Sequence, residues 1–120
     1  MQSTHSELNA SEQQAFHQFC HLSARRIQYQ ARLVFRTLTG KPMAGEPHDQ
    51  DPEVPARGVQ VTLVRMIEIY RDSSPALRRK MVEAEAQLQS CPVEVAEEHL
   101  SKLVPLLNDA EQKEREGGHG

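Results

Sequence analysis

His17, Cys20 and His21 are the residues whose types and spacing come closest to a reactive centre. Two histidines four positions apart share one side of a helix, and a thiol beside them is a ligand that zinc accepts. A tetrahedral site needs a fourth donor, and the candidates, Cys91 and His99, lie far along the chain with no second closely spaced ligand pair. The reading adopted is a small buried thiol flanked by two histidines, with no metal and no cofactor.

Arg78, Arg79 and Lys80 form the second cluster. They follow Asp72-Ser73-Ser74-Pro75, a break and restart that could join two helices as in a helix-turn-helix, whose second helix carries basic groups to phosphates and bases. Glu83 and Glu85 follow and can pair with these cations. The chain has a net charge of −3 and a pI near 6.1, which gives no electrostatic case for nucleic acid. A DNA-binding regulator using residues 63–90 is therefore the alternative reading, not the first.

His48, Asp49 and Asp51 complete the list of groups with ligand chemistry, and they lie in a proline-rich stretch that would hold a preorganised site poorly. The chain has no Gly-rich phosphate loop, nucleophile elbow, HExxH or DxDxDG pattern, so no catalytic residue is expected.

The elements that carry these residues read as helices. Cys20, Ala24, Ile27, Ala31, Val34 and Leu38 recur at alternating steps of four and three, which places all six on one helical stripe. Asn9 or Ser11 can cap this first helix, each with Glu or Gln three residues on. No Pro or Gly follows until Gly40 and Pro42, so the helix covers about 29 residues, or about 43 Å. That outreaches a globule of this size, whose radius of gyration is on the order of 14 Å. The stripe, with two Ala that permit close approach, is expected to be covered by another helix of this chain or of a second copy.

Residues 40–58 hold four of the seven prolines and three of the six glycines, and read as a connection. Val59 to Tyr70 follows a helical face through Val59, Leu63, Met66, Ile67 and Tyr70, with Val61, Val64 and Ile69 leaving it nearly apolar all round. Ser74 and Pro75 start a third helix carrying Leu77, Met81, Ala84 and Leu88. A fourth follows Cys91-Pro92 and buries Val93, Ala96, Leu100, Leu103, Leu107 and Ala110. Pro105 predicts a kink or break near Lys102.

The expected fold is all-α: a small bundle of one long N-terminal helix with three shorter antiparallel helices packed against it. Its domains are a flexible 1–10, a helical unit over 11–111 with the 40–58 connection, and a flexible charged and Gly-rich tail over 112–120. No apolar run reaches the roughly 18 residues that span a bilayer, the N-terminus is polar, and two cysteines make no disulfide scaffold. A cytoplasmic protein is expected.

An apolar stripe beside rigid helices and a polar rim suits binding of another protein. The expectation is a non-enzymatic interaction protein, foremost a small regulator that sequesters another protein, of antiactivator or chaperone/adaptor type. The residues expected to meet the partner are Ala31, Val34, Phe35 and Leu38, with Arg25, Arg32 and Arg36 at the rim. A homodimer through the first helix is expected as well. Nucleic acid and membrane are not expected partners.

Overall fold

The computed structural model describes residues 8–45, 51 and 53–117. They form four helices: α1 (Ala10–Thr39), α2 (Glu53–Arg71), α3 (Pro75–Gln89) and α4 (Val93–Gly117). No strand occurs among the described residues. The all-α expectation holds, and α1 is the longest element at 30 residues.

Of the two caps read for α1, Asn9 is the one used. Its side chain accepts the Glu12 N–H at 2.8 Å, and Glu12 accepts the Asn9 N–H at 3.2 Å. This satisfies two donors that an open helix start leaves unpaired. Gly40 ends the helix at φ +72°, a left-handed turn that glycine adopts without strain, and its N–H reaches the Arg36 carbonyl at 2.8 Å.

The connection is shorter than predicted. α2 begins at Glu53, so Pro55 and Gly58 are helical. Asp51 starts it, accepting the Glu53 N–H on its carboxylate at 2.9 Å and the Val54 N–H on its carbonyl at 3.0 Å. Pro55 lies in the first turn, where a missing N–H loses no intrahelical bond. Residues 46–50 and 52, including His48 and Asp49, lie outside the described residues, as do 1–7 and 118–120.

α3 starts as read, with Ser74 accepting the Leu77 N–H at 3.2 Å and Pro75 at the first helical position. It ends on Ser90 at φ +55°. Of the kink or break expected near Lys102 no break occurs: α4 runs through Pro105 and continues past Ala110 to Gly117, into the residues read as the start of the tail. The charged end is helical because its side chains pair one turn apart: Asp109 with Lys113 at 3.4 Å, and Gln112 with Glu116 at 3.0 Å.

Phe19 of α1, Met66 and Ile67 of α2, Met81 and Val82 of α3, and Ala96 and Leu100 of α4 form the centre of the core. Burying each larger side chain contributes about 1.5–3 kcal/mol. This centre sits beside the N-terminal half of α1 and the C-terminal half of α2. α1 packs against α2 and α3, and α4 packs against the same two helices. Among the described residues α1 and α4 do not pack together, so the expectation that all three shorter helices lie on α1 is corrected. Glu12 meets Ser74 at 3.4 Å and Arg26 meets Glu85 at 2.5 Å. These two contacts lay α3 along α1 in the same direction.

Candidate functional site

The buried line of α1 is Phe19, Ser23 and Arg26, not the predicted stripe. The stripe lies one residue on, about 100° around the helix. Cys20, Ala24 and Ile27 are half-buried; Ala31 is exposed, Val34 is 56 % exposed and Leu38 78 % exposed. Length bears on the exposure of the C-terminal positions. α3 has 15 residues and reaches about 22 Å, half the span of α1. It lies along the N-terminal half of α1 and reaches Ser23 and Arg26 through Glu85, so it does not extend to Val34 and Leu38.

The other predicted contact residues divide into two groups. Arg25, Arg32 and Phe35 share a side of α1 by their spacing, and Phe35 is exposed. Between the two arginines lies the Tyr29 ring. The Arg25 guanidinium stands 5.6 Å from its centroid and that of Arg32 5.5 Å, and Arg25 Nη2 donates to Tyr29 Oη at 2.8 Å. Such cation–ring contacts are favourable and hold both side chains along the helix. Arg36 is half-buried, with Nε and Nη2 shielded from solvent. After Gly40 the chain turns back along α1, and Met43, Ala44 and Gly45 enclose a hollow with Gln28, Ala31 and Arg32.

A polar cluster that the sequence reading missed joins α1 to α3. Glu85 accepts from Ser23 Oγ on one carboxylate oxygen. On the other it accepts Arg26 Nη2 at 2.5 Å and Gln89 Nε2 at 2.9 Å. Both charged side chains are buried. The ion pair in so dry a place is tolerated because the carboxylate is surrounded by donors. Arg26 Nε has no hydrogen-bond partner among the described residues. The signal for the pair was present in the sequence: Arg26 stands seven residues after Phe19 and Glu85 four after Met81, so opposite charges fall on the apolar faces of two helices. Cys20 belongs to this neighbourhood. Burial first, and the Glu85 carboxylate second, push its thiol above the ordinary value of 9.0.

The remaining candidates are dispersed. His17 and His21 are exposed, while Cys20 is half-buried. Among the described residues no three His, Cys, Asp or Glu groups converge on a point where a metal ion could be held. The basic run at the start of α3 is bound to local tasks. Arg78 donates to the carbonyls of Tyr70 at 3.0 Å and Arg71 at 2.5 Å, capping α2, and stands 5.7 Å from the Tyr70 ring centroid. Arg79 meets Glu83 at 3.5 Å. Lys80 lines an open groove of 1010 Å³ between the first turns of α1, α3 and the α3–α4 corner, together with Leu8, Phe16, Ala84 and Cys91. Among the described residues no helix is long and apolar enough to cross a membrane.

No protein-family model, curated protein or solved structure matches this chain.

Proposed function

We propose that this chain is a non-enzymatic, cytoplasmic interaction protein that binds and sequesters another protein, a small regulator of antiactivator or chaperone/adaptor type. The observation that carries the reading is the half-covered stripe of α1. Cys20, Ala24 and Ile27 are half-buried, and the same line continues through Ala31, beside residues 43–45, into solvent at Val34 and Leu38. Exposed aliphatic side chains in register along a rigid helix are anchors for a partner's apolar surface. Arg25, Arg32 and Arg36 bring three cations to a helix whose own sequence from Gln13 onward holds no acidic residue, and the field they contribute is positive. Such a field speeds encounter with an acidic partner, while the apolar anchors set residence time.

Parallel affinity capture from the protein's own cell extract tests this, using the wild type and the variants Val34→Asp and Leu38→Asp. The reading expects a protein retained by the wild type and lost from both variants, with helicity unchanged. An identical set of retained proteins across the three would remove this face from the interface.

A further inference from the structure

α2 carries a second partly exposed line, bordered at its Val64–Glu68 end by α4, whose Leu107, Ala110, Glu111 and Arg115 line a hollow with those two residues. Val54, Arg57, Val61, Val64 and Glu68 follow one another at steps of three, four, three and four, the spacing of a helix–helix seam. Val54 is 41 % exposed, Val61 62 % and Val64 40 %. Val61, Val64 and Glu68 line a shallow hollow there, with Arg65. Three β-branched side chains held open to water at seam spacing have a cost that covering would remove.

Four residues of this line, Val54 lying outside them, are complementary to their own reverse. Read forward they run cation, valine, valine, anion: Arg57, Val61, Val64, Glu68. Two such helices laid antiparallel about the midpoint of the two valines bring Val61 of one copy opposite Val64 of the other, twice. The same register sets Arg57 of each copy opposite Glu68 of the other, also twice. This is the self-complementarity that a two-fold interface requires. Arg57 is available for it, and Glu68, whose side chain is 30 % exposed, takes part by turning from Arg65. Arg57 meets Glu53 at 3.4 Å, and Glu68 meets Arg65 at 3.2 Å. In the first pair both side chains are largely exposed, and exposed pairs one turn apart hold their partners weakly.

We infer that two copies of this chain associate through α2, antiparallel, with the valines as the apolar seam and Arg57–Glu68 contacts between copies at its edges. The inference does not rest on the α1 docking surface.

Sedimentation equilibrium on the purified chain tests it. The wild type is expected to be a dimer at about 100 μM. Val61→Asp puts two carboxylates in the seam and is expected to weaken association by about 100-fold or more, with the circular dichroism of the folded monomer kept because Val61 is surface-exposed. Arg57→Glu and Glu68→Arg each set like charges opposite one another and are expected to weaken self-association by about 10-fold. Mixed in equal amounts, these two variants pair a carboxylate with a cation at both contacts. The heterodimer is then expected to exceed the statistical half of all dimers. A monomeric wild type at that concentration overturns the inference. So does a dimer unmoved by Val61→Asp, or a mixture of the two charge variants with no excess of heterodimer.

Discussion

The ring of Tyr29 on α1 occupies the space that a side chain on Gly58 of α2 would need. A Cβ at Gly58 would come within 2.7 Å of three of the ring carbons. This contact sets how closely the two longest-packed helices approach, and it fixes the ring on which Arg25 and Arg32 lie. It also explains why glycine is kept inside a helix, where it is less favourable than alanine by about 1 kcal/mol.

Gly58→Ala is therefore expected to destabilise the protein by about 1–3 kcal/mol despite the gain in helix propensity. In a Tyr29→Ala background the ring is gone, and the same substitution should stabilise by up to about 1 kcal/mol. Urea unfolding of the four proteins in this cycle gives both signs. Destabilisation of equal size in the two backgrounds would show that the glycine serves some other end.

The Arg26–Glu85 pair gives a second cycle. Removing one partner strands a buried charge, so Glu85→Ala should cost about 3–5 kcal/mol. Replacing both at once, Arg26→Met with Glu85→Leu, leaves no charge to strand and should recover most of that loss. Stability by urea unfolding measures both. If the double replacement unfolds as easily as the single one, the hydrogen bonds from Ser23 and Gln89 carry the interface instead of the ion pair.

These two contacts also mark what sequence reading could and could not reach. Caps and stops are local chemistry, so Asn9, Gly40, Ser74 and Pro75 identified helix ends without any tertiary information. Pro55 and Gly58 misled for the same reason: as composition they signal a loop, yet a first-turn position and a facing aromatic ring make them helical. Which side of α1 is buried was decided by the joint placement of α2 and α3 against it, a long-range property. The stripe from Cys20 to Leu38 is apolar, but the neighbouring line through Phe19 holds the largest side chain and takes the core. The contact residues proposed on α1 were legible as apolar and basic positions, but not how far each is exposed. The role of Tyr29 in organising two of those arginines was not, because it depends on Gly58.

Cys20 should be a slow thiol. Its proton is held more tightly than usual by burial, and further by the nearby Glu85 carboxylate, so the thiolate fraction at pH 8 is small. In a Cys91→Ser background, alkylation by iodoacetamide should still be accelerating at pH 9. Glu85→Gln removes the repelling charge and should speed the reaction at pH 8, without reaching the rate of an unburied cysteine because burial is the larger cause. A rate that levels off below pH 8 would contradict this ordering of causes.

Pro105 offers the most direct test of how α4 is held. It is exposed, and its ring takes one backbone hydrogen bond from a helix that nonetheless continues for another 12 residues to Gly117. Beyond it, Asn108 and Glu111 receive Arg71 Nη1 at 2.9 and 2.8 Å, which ties the second half of α4 to the end of α2. Two effects compete when Pro105 becomes Ala. The restored hydrogen bond and the better helix former favour the variant by up to about 3 kcal/mol. Any straightening of the helix would draw Asn108 and Glu111 away from Arg71, and partly exposed contacts of this kind are each worth only about 0.2–1 kcal/mol. The first effect is larger, so Pro105→Ala should raise the thermal midpoint. Combined with Arg71→Ala, the gain should persist almost unchanged, since little of it passes through that contact. A fall in the midpoint for Pro105→Ala alone, abolished by Arg71→Ala, would reverse the ordering and make the proline the feature that delivers α4 to α2.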